Sequence, residues 1–71
     1  MTPTLLRTAG EALYGSLWQS EMARALGVAD RTVRRWAAGQ FQIPAGVWPQ
    51  VRELLAERGA VLARIRRQLP K

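Results

Sequence analysis

The chain contains no cysteine and no histidine among its 71 residues. These absences exclude disulfides, thiolate catalysis and the usual zinc sites. Long hydrophobic runs are also missing, since no apolar stretch approaches the roughly 18 residues that span a membrane. The start, Met1 to Arg7, is not followed by the apolar stretch of a signal peptide. We therefore expect a cytoplasmic protein with no membrane association, no metal and no cofactor.

Acidic residues are scarce as well. The chain has five acids against eleven basic residues, which gives a net charge of +6. Without histidine or cysteine, only Asp30 and four glutamates could do acid–base work, and no two of them stand together in an evident pocket. We therefore expect that the protein is not an enzyme.

The positive charge is concentrated in two parts of the chain. One group is Arg31, Arg34 and Arg35, and the other is Arg58, Arg64, Arg66, Arg67 and Lys71. Clustered charge of this kind favours a polyanionic partner. For the second group the sequence allows a flank that contacts phosphates, a solubilising end, or the polar face of a membrane-surface helix. The last is disfavoured because no aromatic residue follows Trp48.

Strand alternation is absent, and the remaining pattern is helical throughout. The hydrophobic fraction is 48%, which allows one small folded domain over residues 1–71. A first helix, capped by Thr2 or Thr4, is predicted to end at Tyr14 and Gly15. A second helix is predicted to begin at Trp18 with Ser16 as its cap. The spacing thus predicts a small all-α domain of four or five helices with a long C-terminal helix.

The C-terminal helix is predicted over about 47–68. Gly59 could break it, but the pattern favours one helix over two. Its apolar stripe is longer than a single small domain needs, which suggests burial against a second subunit. Trp48 could either cover the core or lie in that contact. The candidate dimer residues are Trp48, Val61, Leu62, Ile65 and Leu69.

Residues 19–38 predict two short helices joined by a tight turn at Gly27. Such an arrangement buries one set of apolar side chains between the helices: Met22, Ala23, Leu26, Val28, Val33 and Trp36. We expect Trp18 in the core too, and Phe41 and Ile43 beneath the second helix. The residues left outward form a basic face: Asp30, Arg31, Thr32, Arg34 and Arg35. This is the geometry of a helix-turn-helix whose second helix enters a DNA major groove.

The segment resembles the helix-turn-helix of the lambda-repressor-like (Cro-type) regulators of phages and bacteria. That motif has glutamine first, a small residue fifth, glycine ninth, and apolar residues near the fifteenth and eighteenth places. Here these are Gln19, Ala23, Gly27, Val33 and Trp36. The resemblance implies a lambda-repressor-like fold in a bacterial or phage-infected host cell. Such regulators include autoregulators, toxin–antitoxin partners and regulators of anti-CRISPR operons, among which the sequence does not choose.

One position departs from the family pattern. Members often have serine or threonine just before the recognition helix, whereas this chain has Ala29. Asp30 could supply the cap instead, which would start the helix one residue later.

The resemblance also implies roles for individual residues. Gln19 would anchor the protein to a phosphate, and the outward residues of the helix near 30–38 would read bases. Arg31 and Arg35, four residues apart on one face, are the first choices, since the guanidinium fork matches guanine O6 and N7. Asp30 and Thr32 complete the base-reading set, while Arg34, more to the side, is assigned to a phosphate.

The sequence therefore predicts a DNA-binding transcriptional regulator, a repressor acting as a homodimer on an inverted repeat of double-stranded DNA. The alternative is a phage or mobile-element interaction module, an inhibitor or adaptor that keeps the fold without reading sequence. An RNA-binding role is disfavoured because the narrow A-form major groove excludes a helix.

Overall fold

The structure, a computed structural model, describes residues 2–70 and confirms the all-α class, since these residues form helices and connecting turns without a strand. A 3₁₀ turn, Gly15–Leu17, separates the first two helices. The helices are α1 (Pro3–Tyr14), α2 (Trp18–Leu26), α3 (Asp30–Ala37) and α4 (Val47–Gln68).

The start of α1 is fixed by its cap. The Thr2 hydroxyl accepts a hydrogen bond from the Leu5 N–H at 3.1 Å, and Pro3 occupies the first turn, where its missing N–H costs nothing. Of the two predicted caps, Thr2 is therefore the one used. The buried face of α1 then presents Leu6, Leu13 and Gly10 to the interior.

The junction between α1 and α2 differs from the prediction. Ser16 does not cap α2, because it lies within the 3₁₀ turn and Leu17 is the N-cap, without a side-chain hydrogen bond. What fixes the junction is Trp18, which is buried as predicted and packs on Gly10. A Cβ on Gly10 would overlap the Trp18 indole, so only glycine allows this approach.

The turn between α2 and α3 closes with two backbone hydrogen bonds. Gly27, at φ +72°, donates to the Arg24 carbonyl, and the Val28 N–H donates to the Ala23 carbonyl at 3.0 Å. This is a Schellman motif, and its left-handed residue favours glycine. It redirects the chain so that α3 packs across α2, with Ala23 fully buried beneath it.

One core joins all the helices. Its largest fully buried side chains are Leu6, Met22, Val33 and Val51. Ile43 is buried as expected, but the expectation for Phe41 is wrong, since its side chain is 56% exposed.

The last helix projects from this core. α4 is continuous through Gly59, and Val47 and Val51 at its start are buried. Its 22 residues span about 33 Å, while the molecule measures 46 × 22 × 20 Å. In residues 2–70 none of the helices has both the length and the apolar character needed to cross a bilayer.

Candidate nucleic-acid interface

Helix α3 has two chemically different faces. Val33, Trp36 and Ala37 are buried against the rest of the domain, which holds the helix in one orientation. Arg31, Arg34 and Arg35 are exposed on the remaining surface. The inward positions predicted for Val33 and Trp36 are thus confirmed, and the three arginines lie together on the outer side of a rigidly held helix.

The basic face is not neutralised within the molecule. Within residues 2–70, Glu21 and Arg24 on α2 form an ion pair with each other. None of the α3 arginines forms an ion pair with another residue of this range. Their charge is therefore available to an external anion.

Phe41 lies beneath one of these arginines. The Arg35 guanidinium carbon is 5.4 Å from the centroid of the Phe41 ring, within cation–π range. At the end of α3 the Gln40 N–H donates a hydrogen bond to the Arg35 carbonyl at 3.0 Å. The backbone turns here, so that Phe41, the next residue, lies near the Arg35 side chain. The cation–π contact favours a placement of the Arg35 guanidinium over the ring. Sequence analysis missed this contact because an isolated apolar residue usually indicates burial.

Asp30 begins α3 and is held by α2. Ala29 is the N-cap, so the alternative in which Asp30 caps the helix is wrong. The Ser20 hydroxyl donates to Asp30 Oδ2 at 3.0 Å, and both residues are partly buried. A carboxylate in the first turn also favours the helix through its dipole. The Ser20–Asp30 hydrogen bond therefore fixes the start of α3 relative to α2.

The other two predicted contacts, Gln19 and Thr32, lie in the first turns of two successive helices. Gln19 lies in the first turn of α2 and is partly buried, as is Thr32 in the first turn of α3. Leu17 supplies no side-chain cap to α2, which follows the 3₁₀ turn directly.

The second basic group and the candidate dimer residues lie on α4. Arg64, Arg66 and Arg67 are exposed along its outer half, and Lys71 is outside the described residues. Arg58 approaches the Tyr14 ring at 5.9 Å, which ties the middle of α4 to the end of α1. The dimer candidates are all exposed: Trp48, Val61, Leu62, Ile65 and Leu69.

We expect Ser20→Ala to lower the free energy of unfolding by about 0.5–1.5 kcal/mol, the usual contribution of one hydrogen bond. The measurement is urea denaturation followed by circular dichroism. Ser16→Ala is the matched control, because Ser16 is exposed and caps no helix, and it should leave the unfolding free energy unchanged. Equal losses in both variants would show that the Ser20–Asp30 contact contributes nothing.

The family model described as "Bacterial toxin YdaS" matches residues 6–64, which include all of α2 and α3 and most of α1 and α4. No curated protein and no solved structure gives a significant match.

Proposed function

Given that the chain belongs to the bacterial toxin YdaS family, we propose that it is a sequence-specific regulator that binds double-stranded DNA through α3. The single observation that carries this proposal is the position of Arg31, Arg34 and Arg35 on the exposed side of a helix whose other side is fixed in the core. An α-helix about 10–12 Å across fits a major groove about 12 Å wide.

We assign base reading to the residues at the start and middle of α3. Arg31 and Arg35 are one helical turn apart, so both guanidinium groups can enter the same groove and each can bind guanine through O6 and N7. The Arg35 guanidinium lies over the Phe41 ring, and this contact would help to place it in the groove. Asp30 uses one carboxylate oxygen for Ser20, which leaves the other to accept from a cytosine amine. Thr32 would contact a thymine methyl group.

Phosphate contacts would set the register of α3 in the groove. Gln19, in the first turn of α2, would bind one phosphate, and Arg34 would bind another from the side of α3. These contacts carry no sequence information, but they would orient the base-reading arginines.

We propose further that the regulator acts as a homodimer, in which each copy has a lambda-repressor-like arrangement of helices. Two copies would read an inverted repeat whose half-sites are about 34 Å apart. We propose a repressor, because a dimer bound to its operator can block polymerase by occupying the DNA. Toxicity, which the family name implies, would follow if the operators it blocks control essential genes.

Arg34→Ala should weaken binding to all duplexes alike and reduce the slope of log affinity against log salt by about 1, because one phosphate contact is lost. Fluorescence anisotropy on a selected and a scrambled duplex, at several salt concentrations, measures both effects. An unchanged salt slope with lost sequence preference would move Arg34 into the base-reading set.

The test of DNA binding itself compares two variants of equal charge. One carries alanine at Arg31, Arg34 and Arg35, and the control carries alanine at three exposed arginines of α1, α2 and α4: Arg7, Arg24 and Arg52. If α3 is the interface, the first variant should lose at least about tenfold more affinity for duplex DNA than the control. Equal losses would mean that only net charge matters. Undetectable binding by the unmodified protein would instead favour the interaction module.

A further inference from the structure

The outer half of α4, which we define as residues 58–69 so that it includes the C-cap Leu69, carries an exposed apolar face. Nearer the start of the helix, Leu54 packs against the core. At 3.6 residues per turn the apolar residues beyond it lie on the same side of the helix, but they are exposed: Val61 (43%), Leu62 (57%), Ile65 (49%) and Leu69 (63%). The rest of residues 2–70 therefore leaves this face largely uncovered.

A groove between α4 and the end of α1 marks the inner end of this face. Residues of both helices line it, with a volume of about 210 Å³: Leu13, Tyr14, Leu54, Glu57, Arg58 and Val61. Its least exposed wall residues, Leu13 and Leu54, are apolar. The Arg58 guanidinium carbon lies 5.9 Å from the centroid of the Tyr14 ring, which holds the two helices together at this point. A groove that opens onto an apolar face is a shape that an α-helix of another molecule can fill.

The charge around the apolar face has one sign. Glu57 is the last acidic residue of the chain, and every charged residue after it is basic: Arg58, Arg64, Arg66, Arg67 and Lys71. Helical geometry places Arg64 along one edge of the face and Arg66 along the other. The four arginines are exposed, and none forms an ion pair within residues 2–70. An apolar strip between two basic edges is complementary to an apolar strip between two acidic edges.

We propose that the outer half of α4 is a docking site for an acidic amphipathic helix of another protein. Apolar side chains of the partner would cover Val61, Leu62 and Ile65, and its carboxylates would lie beside Arg64 and Arg66. Apolar burial would supply most of the affinity, whereas the exposed ion pairs would select the partner by its charge. Two copies bound to adjacent half-sites need no contact through α4, so the inference goes beyond the proposed function and does not depend on it.

A second copy of this chain fits the surface poorly. The exposed apolar residues are centred near Ile65, and two outer halves that crossed there would bring basic residues together with no acidic residue between them, where like charges repel. A crossing nearer Glu57 would set Ile65 and Leu69 against a part of the other copy whose Leu54 already packs on its own core. The apolar residues suggested as dimer contacts are therefore reassigned to a partner of opposite charge.

Other anionic surfaces are also less complementary. A DNA duplex would bind the arginines but would leave the apolar side chains between them exposed to water. A bilayer surface is flat and would not enter the groove beside Tyr14, and no aromatic residue follows Trp48 to lie in the interface. An acidic helix accounts for the groove, the apolar residues and the charge together.

The first test uses a synthetic probe and the full chain. The probe is a fluorescent, stapled helix of about two heptads, with leucine on one face and glutamate on both edges, and a second probe has lysine in place of glutamate. Fluorescence anisotropy should show that the acidic probe binds at least about tenfold more tightly than the basic one. Equal binding of the two probes, or no binding of the acidic probe, would overturn the proposal.

Leu62→Asp tests the apolar part of the docking site. It should weaken binding of the acidic probe at least about tenfold, because a carboxylate would replace an apolar contact and face the glutamates of the probe. Leu17→Asp is the matched control, since it adds the same charge at a residue that is 80% exposed on the 3₁₀ turn, and it should leave the affinity unchanged. Equal losses in both variants would place the binding site elsewhere.

Charge reversal tests the two basic edges. The variant that carries Arg64→Glu and Arg66→Glu should prefer the basic probe over the acidic one. The variant that carries Arg7→Glu and Arg52→Glu changes the net charge equally at exposed sites outside the outer half of α4, and it should keep the original preference. If both variants lost the preference to the same extent, net charge alone would explain it, and the docking site would be refuted.

Two measurements examine other occupants of this face. Sedimentation velocity of the protein alone and flotation with vesicles of phosphatidylglycerol and phosphatidylcholine are each carried out on the unmodified protein and on Leu62→Asp. The proposal predicts no difference between the two proteins in either measurement. A dimer that the substitution dissociates would assign the face to a second copy, and vesicle binding that it abolishes would assign the face to a membrane; either result would overturn the proposal.

Docking and DNA recognition can fail separately. The variant with alanine at Arg31, Arg34 and Arg35 should bind the acidic probe as the unmodified protein does, while Leu62→Asp should keep the affinity for duplex DNA. Duplex binding without probe binding would refute the docking site and leave the regulator. Probe binding without duplex binding would refute the regulator and leave the docking site.

Discussion

Arg31→Ala and Arg35→Ala should each weaken binding to the operator by about 1–3 kcal/mol, or roughly 5- to 150-fold, and each should relax the preference at one base pair. The physical reason is the guanidinium fork, which donates to two acceptors of guanine at once. The measurement is the affinity of each variant for the operator and for operators with one base pair changed.

Two variants separate base reading from charge. Arg31→Lys keeps the positive charge but cannot donate the paired hydrogen bonds to guanine O6 and N7. Its loss of sequence preference should therefore be nearly as large as that of Arg31→Ala. Arg7→Ala loses the same charge from α1, and its preference among operators should not change. If Arg31→Ala and Arg35→Ala kept the original affinity and preference, the base-reading assignment would be wrong.

Gly10→Ala should lower the free energy of unfolding by about 3 kcal/mol, at the upper end of the range for overpacking. The added methyl group would overlap the indole ring of Trp18, whose side chain is buried in the core. For 71 residues a total stability of roughly 4–10 kcal/mol is expected, so the loss is a large fraction of it. Thermal and urea denaturation measure the change.

The control is a glycine whose surroundings are open. Gly59 lies inside α4, is exposed, and has no atom within 4 Å of an added Cβ, so Gly59→Ala should be neutral or slightly stabilising. Trp18→Leu should then reduce the additional cost of Gly10→Ala in a double-mutant cycle, because the smaller side chain leaves room. If Gly10→Ala cost the same in the Trp18→Leu background as in the original chain, the overlap would not be its cause.

The parts of the fold that follow helical periodicity could be predicted from sequence. The spacing of Val33, Trp36 and Ala23 places them on facing sides of two helices and so predicts an interior position, and all three are buried. The same spacing places the α3 arginines outside. Gly27 marks the turn because few other residues tolerate its positive φ.

The remaining features depend on contacts between segments distant in the sequence. Nothing around Gly10 indicates that Trp18 packs on it, since this approach arises only when α1 and α2 are docked. The apolar character of Phe41 predicts burial, whereas its ring lies at the surface in a cation–π contact with Arg35. Asp30 stands at a cap-like position, but its bond to Ser20 requires the crossing of α2 and α3.

The most direct test of the account is selection from a random duplex library at about 150 mM salt, a concentration that suppresses purely electrostatic binding. The bound fraction is recovered and sequenced over several rounds. The account predicts an inverted repeat with guanine in each half-site, and loss of that enrichment when alanine replaces Arg31 and Arg35. Recovery of no common sequence, with binding that salt abolishes, would contradict it.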